Sequence, residues 1–194
     1  MVLEDVARKY DWNPWYFQLR DFAASFIDDA KAKEQAARTP DQHIVFMRLG
    51  FGEFPRWIQD ALSPVVQHVQ VFAVMPHSIG MIHKDGHDRK CALNVPLPGA
   101  DKGIMEWYTT QMFDTHVFSS SETISRVTRE EVAIYPEKWK DPGDIRTVIE
   151  RPTLVNTDVW HRIDNSDNPD CRYVLSLRFK DNPTFNYVDS LLTP

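Results

Sequence analysis

Apolar positions in the first third of the chain recur at helical spacing. Asn13-Pro14 opens a helix with proline in its first turn, and Trp15, Leu19, Phe22, Phe26 and Ile27 then fall at helical intervals. The run from Asp28 to Arg38 is charged and alanine-rich and is expected to extend that helix until Thr39-Pro40 stops it. A short strand at Ile44 to Leu49 and a brief helix from Pro55 to Leu62 complete a helical segment over residues 1–62. From Pro64 the period shortens to two. Strands are expected at Val65 to Met75, Cys91 to Leu97, Ile104 to Thr109, Thr123 to Thr128, Glu131 to Tyr135, Thr147 to Asn156, Val159 to Ile163 and Arg172 to Phe179, punctuated by Pro, Gly, Asn and Asp. The tail, 181–194, is short and polar and is expected to pack back on the body.

Short strands following helices, without strand–helix alternation, predict a mainly β fold: a two-sheet jelly roll of the cupin kind behind a helical preface. At 194 residues the chain has room for one domain. Within it, residues 1–62 would pack on a core of residues 63–180. Gln111 to Glu122 and Pro136 to Asp144 are long for strand connections and read either as lids or as plain excursions. Trp12, Trp15, Phe22 and Trp57 are expected to be core aromatics rather than a ligand cage.

A net charge of −6 argues against general nucleic-acid binding, which needs clustered Lys and Arg. The opening Met1-Val2-Leu3-Glu4-Asp5 carries acid where a signal peptide needs positive charge, and no apolar run is long enough to span a membrane. A reduced, cytoplasmic setting is therefore expected. The two cysteines, Cys91 and Cys171, form no zinc spacing. In jelly-roll order their strands run antiparallel side by side, with the cysteines at opposite ends, beyond the reach of a disulfide.

The candidate chemistry lies in His83-Lys84-Asp85, His161 and Arg172. Along an extended backbone His83 and Asp85 share one side, and Gly86 permits a turn beyond them. Two histidines and one carboxylate suit an ion with open positions, above all non-haem Fe(II). In Arg172 to Phe179, Tyr173, Leu175, Leu177 and Phe179 form an apolar face; Arg172, Val174, Ser176 and Arg178 form the other, a suitable seat for an anion. The alternatives are a solvated His83, a satisfied barrel His161 and an edge-strand Arg172. Lys84, His87, Arg89 and Lys90 form a small basic cluster that reads either as a contact for an anionic substrate or as a solvated turn.

The order His-x-Asp, distal His and an Arg roughly ten residues later resembles the Fe(II)- and 2-oxoglutarate-dependent oxygenases, whose barrel is the double-stranded β-helix. Cys91-Ala92-Leu93-Asn94-Val95-Pro96-Leu97 and Trp160-His161-Arg162-Ile163-Asp164-Asn165 are similar to phage and bacterial members, nearest in pattern to the aspartyl/asparaginyl β-hydroxylase-like group. The β-hydroxylases themselves lack the aspartate that Asp85 supplies, so their substrate is not carried over. The resemblance covers residues 64–180. It implies His83, Asp85 and His161 as ligands of Fe(II), and Arg172 as the grip on the far carboxylate of 2-oxoglutarate. Asn94 and Ser176 would be further co-substrate contacts, and Trp107, Arg89 and His87 would line a pocket for a small-molecule, amino-acid or peptide substrate. The alternatives are a cupin-type metalloenzyme without 2-oxoglutarate and an inert jelly-roll binding module. Oligomeric state is not legible.

Overall fold

The computed structural model describes residues 1–38, 44–49, 51–80, 82–85, 89–98, 103–108 and 142–193. Its strands form two antiparallel sheets. The larger has the order β1 (Ala7–Lys9), β8 (Thr153–Asn156), β5 (Cys91–Pro96), β10 (Arg172–Phe179), β3 (Val66–Val74), β2 (Ile44–Leu49). The smaller has β4 (Ser78–Ile79), β9 (Trp160–Asn165), β6 (Ile104–Tyr108), β7 (Ile145–Val148). From β3 onward the chain passes to the smaller sheet at β4, returns at β5, leaves for β6 and β7, and crosses for β8, β9 and β10 in turn. That winding is the jelly roll expected, a double-stranded β-helix. The helices are α1 (Leu3–Val6), α2 (Pro14–Ala24), α3 (Asp29–Arg38), α4 (Arg56–Leu62) and α5 (Phe185–Leu192). Among the described residues no helix is long and apolar enough to cross a membrane.

Alternation along β10 sets the layers. Tyr173, Leu175 and Leu177 join Val69, Val71, Ala73, Leu93, Val95 and Leu154 on one face, in a cluster completed by Tyr16, Leu19 and Ala23 of α2, Ile58 and Leu62 of α4, and Phe185 and Val188 of α5. Each large apolar side chain buried there stabilises the fold by about 1.5–3 kcal/mol. The opposite face of β10 looks into the barrel. There Ala92 and Val155 of the larger sheet meet Met105 and Trp107 of the smaller one in a second cluster.

Several expectations need correction. Within the first 62 residues the strand expected at Ile44 to Leu49 is β2, but β1 was not expected, and the two form both edges of the larger sheet. β1 is three residues long, too short for alternation to show. The expected continuous helix through Arg38 breaks after Ala24: the Ser25 hydroxyl donates to the Phe22 carbonyl, and Asp28 Oδ1 accepts from Lys31 N, capping a new helix. The expected strand Thr147 to Asn156 divides into β7 and β8, in different sheets, around Pro152, which has no N–H for a ladder. The tail supplies α5, N-capped by Thr184, and buries Phe185 and Val188 in the main core. Trp12 stacks on Phe17 and Phe22 packs on Phe54, while Trp57 is exposed. β5 and β10 are antiparallel neighbours, and both cysteines are free and buried. Thr123 to Thr128, Glu131 to Tyr135, Gln111 to Glu122 and most of Pro136 to Asp144 lie outside the described residues.

Candidate metal centre

Residues beyond β4 continue along the outer edge of β9. Ile79 pairs with Asp164, so an unbroken ladder would set His83 opposite Trp160. His83 instead stands opposite His161, each N–H donating to the other's carbonyl at 2.8 Å. This slip of one residue gives the two histidines a common side. Their ring centroids are 4.4 Å apart. One ligand atom from each of His83, Asp85 and His161 lies within 4.8 Å of the others, close enough to share one divalent ion.

The donor set has the charge state a metal needs. His161 Nδ1 is 2.8 Å from the Val159 carbonyl, which can only accept, so Nδ1 carries the proton and Nε2 offers its lone pair. Burial, helped by nearby His83, pushes the His161 pKa down to about 3 and keeps the ring neutral. Burial works against the charge of Asp85, yet Arg89, then the two histidines, hold its carboxyl below the usual range. Arg89 donates to Asp85 Oδ2 from Nε and Nη2, each at 2.6 Å, and Oδ1 lies 3.8 Å from His83 Nε2.

Thr157, buried just before β9, ties the surrounding segments together. Its carbonyl accepts from Asp85 N at 3.0 Å, its hydroxyl donates to the Arg89 carbonyl at 2.6 Å, and its N–H donates to the Lys90 carbonyl at 3.0 Å.

Arg172 enters the barrel from the first position of β10, opposite Val74, and is 1% exposed. Its Nε and Nη1 have no hydrogen-bond partner among the described residues. Burial lowers its pKa to about 10, which leaves it cationic near neutrality. A Cβ at Gly103 would lie 2.1 Å from Arg172 Cδ and 2.6 Å from its Nε, so the missing side chain is the space the arginine occupies. The same Cβ would lie 3.1 Å from Asn165 Oδ1. Arg172 thus crosses to the smaller sheet near Asn165, four residues along β9 from His161, roughly 13 Å at 3.3 Å per residue.

The other expected site residues fall into distinct places. Asn94 and Ser176 are register partners on the barrel face of the larger sheet, and Asn94 Oδ1 and Ser176 Oγ are buried without partners among the described residues. They sit together four residues along β10 from Arg172, toward the Cys91 end of the sheet, rather than beside its first position. Trp107 is the register partner of His161, fully buried, with its indole N–H on the Asn156 carbonyl at 3.1 Å. Arg89 does not stand free as pocket lining; it is paired with Asp85. His87 lies outside the described residues. Thr157 and Gly103 were not singled out from sequence: one acts through its hydroxyl and its backbone on segments distant in the chain, and the other through the absence of a side chain.

No family model and no curated protein matches the sequence. Among solved structures, the fold is similar to that of the non-haem α-ketoglutarate-dependent carbocyclase SnoK from nogalamycin biosynthesis, at 10% identity over 99% of this chain and 88% of that one, with a TM-score of 0.49. It is also similar to HygX from Streptomyces hygroscopicus, solved with nickel and 2-oxoglutarate bound, at 8% identity over 94% of this chain and 85% of that one, with a TM-score of 0.47. Neither likeness bears on which reaction this chain carries out.

Proposed function

We propose that this protein is an Fe(II)- and 2-oxoglutarate-dependent oxygenase that hydroxylates or otherwise oxidises an unactivated C–H bond. The observation that carries the reading is Arg172. A cation buried without a counter-charge is costly, and this one lies in the same barrel as a two-histidine, one-carboxylate cluster. An anion that reaches both would remove the cost.

The residues present fit the ion and the co-substrate. His83, Asp85 Oδ1 and His161 Nε2 would hold Fe(II), a donor set that leaves positions open. Arg172 would grip the far carboxylate of 2-oxoglutarate. Arg89 already offsets the charge of Asp85, so a divalent ion together with Arg172 leaves positive charge that a dianion offsets better than a neutral ligand would. When bound, iron, 2-oxoglutarate and dioxygen supply the oxidation, with succinate and carbon dioxide as co-products. The chain's own contribution is to keep His161 in one tautomer, Asp85 ionised and the interior around Trp107 and Met105 apolar. The substrate would be a small molecule, an amino acid or a peptide.

The test is succinate release from 2-oxoglutarate by protein reconstituted with Fe(II) and a reductant, since aerobic purification can leave Ni²⁺, Cu²⁺ or Zn²⁺ in such a site. Release that is lost in His83→Ala, Asp85→Ala and His161→Ala supports the proposal. Protein that binds Mn(II) at these residues but neither binds 2-oxoglutarate nor releases succinate is a metalloenzyme of another kind.

A further inference from the structure

Asp85 has two oxygens, and the fold gives them different surroundings. Oδ2 receives both Nε and Nη2 of Arg89, each at 2.6 Å, while Oδ1 faces His83. The pair is mostly buried, at 16% and 11% side-chain exposure, so solvent does little to replace those contacts. The backbone that carries Arg89 is held as well: its carbonyl accepts the Thr157 hydroxyl, and the adjoining Lys90 N donates to Asn182 Oδ1 at 2.7 Å. The Arg89 Cζ lies 5.9 Å from the Phe72 ring centroid.

We propose that Arg89, fixed by Thr157, is a positioning residue that keeps Asp85 a one-oxygen ligand, so that an ion at the site retains two adjacent open positions for a chelating co-substrate. The proposal rests on the function given above. A carboxylate that binds an ion through both oxygens fills one coordination position more than a carboxylate that binds through one. Asp85 can do so only by giving up two charge-assisted hydrogen bonds to Oδ2. Removing the guanidinium therefore frees Oδ2 and restores full negative charge to the carboxylate. Both changes favour the bare ion and disfavour a chelating ligand on it. An arginine that merely supported the loop would give the opposite result, a loss of metal affinity.

The experiment measures Mn(II) binding, then 2-oxoglutarate binding to the Mn(II)-loaded full chain, by calorimetry under nitrogen. Arg89→Met keeps the apolar stem and removes the fork. It should bind Mn(II) at least as tightly as wild type, while 2-oxoglutarate affinity falls about tenfold or more, within the range for groups that orient metal ligands. Azide, which needs a single position, should change less than about threefold. Arg89→Lys, which restores charge without the fork, should fall between. Thr157→Val, which deletes only the hydroxyl, should move the same way as Arg89→Met by a smaller factor, and it decides the matter if Arg89→Met does not fold. Folded variants that lose Mn(II) affinity, or that bind 2-oxoglutarate as wild type does, overturn the clamp. Wild-type protein that binds Mn(II) but no 2-oxoglutarate overturns the proposed function instead.

Discussion

Arg162 and Arg172 are ten positions apart, and both are almost completely buried, at 3% and 1% exposure. Their surroundings are opposite. Arg162 alternates with His161 along β9, on the face turned away from the barrel. There its Nε meets Glu106 Oε2 at 2.7 Å, Arg146 reaches Oε1 at 2.7 Å, and the Tyr108 hydroxyl donates to Oε2 at 3.2 Å. The chain supplies that counter-charge itself. Arg172 faces the interior with Nε and Nη1 unpartnered among the described residues. Cys91 shows a third way to live with burial: its thiol is pushed up to about 12, and so it stays neutral. Burial alone therefore does not mark a functional group. What sets Arg172 apart is that, among the described residues, no carboxylate is paired with it, and the proposed function rests on that difference.

The contrast is tested most severely at Glu106. Glu106→Ala removes the buried carboxylate that Arg162 and Arg146 share, and breaking a buried ion pair should lower stability by about 3–5 kcal/mol in denaturant unfolding. A loss below about 1 kcal/mol would mean that Arg162 does not depend on its internal partner in the way described.

Arg172→Leu should behave oppositely. It removes a charge that is uncompensated among the described residues, so the ligand-free protein should unfold no more easily than wild type. Binding of 2-oxoglutarate should weaken by about 2–4 kcal/mol, or roughly 30- to 1000-fold. Mn(II) affinity should be unchanged, and wild-type 2-oxoglutarate affinity in this variant would remove the main support for the oxygenase.

Gly103→Ala pushes a methyl group against Arg172 Cδ. Overpacking of this kind costs about 1–3 kcal/mol, and 2-oxoglutarate affinity should fall with it. Made in an Arg172→Ala background, which has no atom beyond Cβ at that position, the same change should cost much less; an undiminished cost would place the strain elsewhere. The smallest effect is expected at the cysteines. A thiol raised from 9.0 to about 12 presents very little thiolate, and the Cys171 thiol is also raised by burial. Neither should react with a thiol reagent at pH 8 until the chain is unfolded, when both should react without prior reduction.

The sequence made β10 legible because its alternation is uninterrupted and its two faces differ sharply in polarity. The jelly-roll class was read from the succession of short strands after helices without strand–helix alternation, and β3, β5, β6 and β9 lie close to where strands were expected. Thr147 to Asn156 read as one strand because its composition is favourable on both sides of Pro152; only pairing shows that β7 and β8 serve different sheets. The break at Asp28 depended on one side chain capping a backbone N–H. At the candidate site, His-x-Asp spacing brought two groups together on paper, but the slip that sets His83 opposite His161 is a property of pairing with β9. Asp85 and Arg89 are four residues apart, a spacing that signals contact on a helix, whereas the sequence around Gly86 reads as a strand end and turn. The partners Glu106, Arg146 and Arg162 come from three different strands, so nothing local announces them.

The position of β10 also bears on how the molecule is assembled. It lies between β3 and β5 in the larger sheet, yet it follows every other described strand in the chain. Until it arrives, β3 and β5 have no hydrogen-bonded connection, and the edge that each will offer to β10 is open. Contacts so distant in sequence close late and at high entropic cost, which places this fold among slow folders with exposed edges along the way. In refolding followed by pulsed hydrogen exchange, the amides that β3 and β5 donate to β10 should become protected in a single step, together with those of β10 itself.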